Sequence, residues 1–122
     1  MQVPTTGGGI DTGYATTSPE LRYRVIFPSS GTYYIWIRGY GGSPDDDSIH
    51  AGIDGQAPTT ADRISGCNWH TSGWYWCNST MDGPRATLVI STPGLHTLNL
   101  WMREDGFRVD RVLLTTDSTY TP

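Results

Sequence analysis

The amino-acid sequence predicts an all-β protein, a sandwich or jelly roll of short strands. Three observations carry this. Apolar and polar residues alternate in period two along run after run. No window repeats apolar residues at three-four spacing over three turns, as an amphipathic helix would. Clusters of Gly, Pro, Asn, Asp and Ser punctuate the runs at hairpin and arch spacing.

The elements follow in order. Met1–Gly9 reads as extended coil. Leu21, Tyr23, Val25 and Phe27 alternate with Arg22, Arg24 and Ile26 in a first strand, which Pro28-Ser29-Ser30-Gly31 turns. Tyr33, Ile35 and Ile37 alternate with Tyr34, Trp36 and Arg38, and Gly41-Gly42-Ser43-Pro44 then opens a loop ending in three acids. Ile49, Ala51 and Ile53 alternate with His50 and Gly52 before the Asp54-Gly55 turn. Residues 54–72 are weakly patterned, with a short strand near Ala61–Ser65. A long loop on a rigid sandwich is a usual place for function. Strands at Gly73–Asn78 and Ala86–Ile90 are separated by Asp82-Gly83-Pro84, and Thr92-Pro93-Gly94 follows. Leu98, Leu100 and Met102 alternate with Asn99, Trp101 and Arg103. Phe107, Val109 and Arg111 alternate with Arg108, Asp110 and Val112 in the last strand, and Thr115–Pro122 reads as coil.

A chain of 122 residues is read as one domain spanning 1–122. At that size it buries roughly two-thirds of its unfolded surface and needs neither metal nor disulfide to fold. It carries 5 Trp and 7 Tyr against 2 Phe, so rings with a polar edge dominate. Lysine is absent and all eight cations are Arg, which stacks on rings and recognises carboxylate or sulfate bidentately. The net charge of −4 argues against a nucleic-acid partner, which needs a basic footprint. No apolar run reaches membrane-spanning length, so membrane insertion is not expected. No signal peptide precedes Gln2, and Met1 is read as an initiator added to a fragment or as the remnant of a longer chain.

Cys67 and Cys77 flank nine residues. A disulfide there contributes roughly 2.5–3 kcal/mol in the chain-entropy model and places the protein outside the cell. The opposing reading is two half-buried thiols in a cytosolic protein. Asn78-Ser79-Thr80 is an N-glycosylation acceptor pattern.

A Trp-apolar-Arg tripeptide ends two strand-like runs, Trp36-Ile37-Arg38 and Trp101-Met102-Arg103. Alternation puts Trp and Arg on one face. A flat ring beside a forked cation can stack a sugar and hold its oxygens. The plainer reading is that each Trp covers its sheet and each Arg stacks on it. Trp74-Tyr75-Trp76 sets two indoles on one strand face, and Trp69, in a polar loop, is the aromatic that packing explains least. Asp45-Asp46-Asp47 is a compact acidic cluster that binds calcium or is a solvated turn. Asp110, inside an apolar strand, needs an Arg, backbone N–H groups or a metal as partner. His50, His70 and His96 lack metal-ligand spacing, no nucleophile-elbow pattern occurs, and only Glu20 and Glu104 are glutamates, so catalysis is not expected.

The stretch Gly31-Thr32-Tyr33-Tyr34-Ile35-Trp36-Ile37-Arg38-Gly39 resembles a strand signature of carbohydrate-binding modules related to families 6 and 35. Ile53-Asp54-Gly55 resembles their strand-ending Val-Asp-Gly turn, and Phe107–Leu113 their closing strand. Trp101–Pro122 resembles the C-terminal end of domains appended to bacterial polysaccharide-degrading enzymes. The likeness covers about residues 7–117. It implies a galactose-binding-like jelly-roll β-sandwich of two antiparallel sheets, often with a structural calcium to which the closing-strand Asp, here Asp110, contributes. Arg108 stands where these modules carry Asn, and their opening Glu-Ala-Glu strand is missing. A missing strand exposes a sheet edge, through which copies could associate.

The expectations are these. The metal candidates are Asp110, Asp45 and Asp47, with calcium as the ion. The resemblance places sugar in loops at one end of the sandwich, which selects Tyr40, Trp69, Trp74, Glu104 and Asp105, or on a sheet face, which selects Trp36, Arg38, Trp101 and Arg103. Arg38 and Arg103 would suit an anionic glycan. The expected function is non-catalytic binding of a polysaccharide or oligosaccharide by a secreted, extracellular module that targets an attached enzyme or a cell surface. Trp69→Ala or Trp101→Ala is expected to weaken binding without unfolding. The alternative is a structural or adhesive subunit of an extracellular fibre, self-associating through an exposed sheet edge.

Overall fold

The computed structural model describes residues 13–43, 45–67 and 73–122. A four-residue helix, α1 (Tyr14–Thr17), leads into nine strands: β1 (Glu20–Phe27), β2 (Gly31–Tyr40), β3 (Ile49–Ile53), β4 (Ile64–Ser65), β5 (Tyr75–Cys77), β6 (Ser79–Thr80), β7 (Thr87–Ile90), β8 (Gly94–Met102) and β9 (Arg108–Thr115). They form an all-β sandwich of two antiparallel sheets. One sheet has the order β1-β8-β3-β4-β6. In the other, β9 lies along one side of β2 while β7 and β5 share the other side.

Except at β3–β4, each connection from β1 to β9 crosses from one sheet to the other. That jelly-roll property follows from the alternation. Each strand has one apolar face, and both sets of apolar faces meet between the sheets. Ile35 and Ile37 of β2, Leu88 of β7 and Val109 of β9 pack against Ile49 and Ala51 of β3, Ile64 of β4, and Leu98 and Leu100 of β8. Phe107, just before β9, is fully buried among them. Phe27, Tyr33 and Ile90 close the core at one end, where Phe27 and Tyr33 meet edge to face with ring centroids 4.9 Å apart.

The expected strands are present, with bounds shifted by at most four residues. The sequence missed α1 and β6, which are too short to show a period. Part of the weakly patterned stretch forms a 3-10 turn at Thr59–Ala61. Among the described residues, the five-stranded sheet is edged by β1 and β6, and the four-stranded sheet by β9 on one side of β2 and by β5 and β7 on the other. Arg22 and Arg24 on β1 and a bulge at Asp110 on β9 are devices that discourage edge pairing.

Candidate functional site

The carboxyl end of β2 meets the starts of β5 and β9 at one end of the sandwich. Alternation along β2 buries Ile35 and Ile37 and turns Tyr34, Trp36, Arg38 and Tyr40 to the outer face of their sheet. Tyr40, the last residue of β2, stands beside Trp74, which immediately precedes β5. Their ring centroids are 5.9 Å apart, tilted by 52°. The Arg108 guanidinium, opening β9, lies 5.2 Å from the Tyr40 ring centroid. Trp74 is 42% exposed and Tyr75 45%, so this corner presents open aromatic surface.

The corner is held from beneath. Cys67 and Cys77 form a disulfide, with Cα atoms 4.9 Å apart, that ties β5 to the segment after β4. A Cβ on Gly39 would lie 2.4 Å from the Phe107 ring and 3.0 Å from the Cβ of Cys67. Glycine at position 39 therefore lets the core and the disulfide approach directly under Tyr40.

Arg103, Glu104 and Asp105 occupy the same end but are buried. Glu104 Oε2 accepts from the backbone N–H of Asp47 at 2.7 Å and of Ser48 at 3.0 Å. Arg103 Nη1 donates to Ser48 Oγ at 2.6 Å and to Glu104 Oε1 at 2.5 Å. This network fastens the 45–48 loop to the turn after β8. Burial, then the neighbouring Glu104, raises the pKa of Asp47. Asp45 is exposed, with its backbone N–H bonded to Ser43 Oγ. Asp110 gives both carboxylate oxygens to Arg38, with Nε to Oδ1 at 2.8 Å and a closer Nη2–Oδ2 contact, and the bond to Arg38 lowers its pKa. Among the described residues, no group of three or more Asp, Glu, His or Cys gathers where it could hold a metal ion. Asp110 instead has the Arg partner that the sequence offered as one of its options.

The two Trp-apolar-Arg tripeptides do not build one surface. Trp36 and Arg38 are on the outer face of the four-stranded sheet, whereas Trp101 is on the opposite outer face, that of the five-stranded sheet, and Arg103 lies past the end of β8 in the buried network with Ser48 and Glu104. Trp36 is half-buried under Arg85, whose guanidinium lies 5.4 Å from its ring centroid and 5.0 Å from that of Tyr34 and donates to the Ser118 carbonyl. Trp101 is only 1% exposed. It packs against β3, where a Cβ on Gly52 would come 2.6 Å from its ring. The expectation that Trp101→Ala would spare the fold is therefore corrected. Arg38 and Arg103 are ion-paired with Asp110 and Glu104. Trp69 lies outside the described residues. Sequence reasoning missed Tyr75 and Arg108 as site residues. The available signal for Arg108 was its alternation with buried Phe107 and Val109, which turns it outward at a strand start.

What this defines is a β-sandwich with a small, rigidly supported aromatic and guanidinium corner at its loop end. Residues 2–121 match the glycosyl hydrolase family 115 C-terminal domain, and the chain belongs to that family. It is also similar to uncharacterized protein P23 of Formosa agariphila, at 34% identity over 109 residues covering 84% of this chain and 26% of the relative. The chain thus spans about a quarter of that relative's length.

Proposed function

We propose that this domain is a non-catalytic, extracellular carbohydrate-binding module, kin to families 6 and 35, that holds a polysaccharide close to a degrading enzyme. The carrying observation is the exposed Trp74 against half-buried Tyr40, with Arg108 on the Tyr40 ring, at the loop end. A sugar face laid on an indole contributes on the order of 1 kcal/mol beyond the area it buries. Such binding is weak alone, but tethering converts it into a high local substrate concentration. The family match supports a role beside a glycosyl hydrolase.

The described histidines support binding over hydrolysis. His96 is held between Asp54 and the Thr92 carbonyl, and buried His50 faces Asp62, its pKa lowered by that burial. The test is affinity electrophoresis against a panel of neutral and anionic polysaccharides. At least one should retard the protein, and Trp74→Ala or Trp69→Ala should restore its mobility. Retardation that survives in every aromatic variant would remove this site.

A further inference from the structure

The guanidinium groups around the outer face of the four-stranded sheet have different fates. Arg38 is clamped to Asp110 through two bonds. Arg85 lies on Tyr34 and Trp36 and donates to Ser118. Arg108 is exposed, and its guanidinium lies against the Tyr40 ring with no hydrogen bond or ion pair to another described residue. A guanidinium carries five N–H donors in one plane. Arg108, on β9, and Trp74, before β5, flank the Tyr40 ring, so the guanidinium's donors stand in the same corner as the exposed indole.

The strand register explains how Arg108 comes to be there. Val112 pairs with Ile37 and Arg111 with Arg38; the register then shifts, so that Val109 pairs with Gly39 and Arg108 with Tyr40. Asp110 is the extra residue of a β-bulge. Regular pairing would set Val109 opposite Tyr40 and swing Arg108 toward the core, because one step of slip exchanges the faces of a strand. The bulge keeps Val109 buried at 2% exposure and leaves Asp110 where Arg38 holds it. Bulges commonly re-aim a side chain in this way.

We propose that Arg108 is the specificity-determining donor of this corner, bonding adjacent ring oxygens of a sugar stacked on Trp74, and that Asp110, locked by Arg38, is the positioning residue that aims it. This rests on the glycan binding proposed above. Arg108 selects ligands that present two neighbouring oxygens beside an apolar sugar face. Asp110 acts only through Arg108.

Titration calorimetry tests this, using an oligosaccharide of the polysaccharide that retards the wild-type protein. Arg108→Ala should weaken binding about tenfold, the loss of one or two hydrogen bonds. Asp110→Ala should weaken binding by a similar factor in the wild-type background and by less than about twofold in the Arg108→Ala background, since residues acting as a unit are not additive. A deoxy analogue lacking one of the two neighbouring hydroxyls should bind the wild type about tenfold more weakly but Arg108→Ala no differently. Asp110→Asn, which keeps an acceptor for Arg38, should recover part of the affinity. Full affinity in Arg108→Ala, or an Asp110→Ala effect undiminished in the double variant, would overturn the inference while leaving the site standing. A wild-type protein that binds no glycan would remove the site and this inference together.

Discussion

The disulfide is the most consequential support of the aromatic corner, and replacing both cysteines by alanine measures it. Cys67 and Cys77 are 10 positions apart. In the chain-entropy account, closing a loop of that length removes about 9 cal/mol/K from the unfolded ensemble, or about 2.7 kcal/mol at 25 °C. At about 2.1 cal/mol/K of unfolding entropy per residue, that is a fall in Tm of roughly 10 °C for a 122-residue chain. Local consequences follow, because β5 is three residues long and pairs with β2 only from Ile37 to Gly39. Trp74 precedes this short edge strand, so glycan affinity should fall together with stability. Urea unfolding of oxidised wild type and of Cys67→Ala/Cys77→Ala, followed by intrinsic fluorescence, gives the difference directly. A loss below about 1 kcal/mol would refute the view that the crosslink restrains the unfolded chain.

Three further outcomes are expected. Trp101→Ala removes an indole that is 1% exposed and should cost about 3–5 kcal/mol in denaturant unfolding. Gly39→Ala drives a methyl toward Phe107 and should destabilise by about 1–3 kcal/mol. His96 directs Nδ1 at Asp54 Oδ2, 2.6 Å away, and Nε2 at the Thr92 carbonyl, 2.7 Å away, so the folded state needs both ring protons. The bond to Asp54 raises the pKa of His96 above its ordinary 6.5. Its contribution is complete below pH 6.5 and is lost as pH rises through the raised value. The same pair lowers the pKa of Asp54, whose contribution is present above pH 3.8 and is lost as pH falls through the lowered value. Thermal melts across pH should show both declines, and Asp54→Asn should flatten them.

Much of the sandwich was legible because alternation is a direct imprint of a half-buried strand. Ile35 and Ile37 inward with Trp36 and Arg38 outward is what the order of residues states. Strand pairing was not legible in that pattern. Period two says which residues share a face of one strand but not which sheet the strand joins, so the Trp36 and Trp101 motifs looked like one surface although they lie on opposite sides. Burial on an outer face was also hidden, since it depends on what crosses over it. Trp101 packs closely because Gly52 has no side chain to hold it off, and Trp36 lies under Arg85, which arrives from a distant segment. Asp110 was recognisably anomalous in an apolar strand. Its solution, a bulge clamped by Arg38, required knowing that β9 runs beside β2. Tyr40 and Trp74 could be placed at the loop end because they flank strand ends, whereas the burial of Glu104 and Asp105 at that end was not legible.

The most direct test of the account is to follow the five indole N–H resonances of the wild-type protein while adding an oligosaccharide of a retained glycan. The account predicts that the Trp74 signal and the Arg108 side-chain signal move together and saturate at one affinity, while the Trp101 signal stays in place. Saturable shifts at Trp101 and its neighbours on the five-stranded sheet, with Trp74 unmoved, would contradict it.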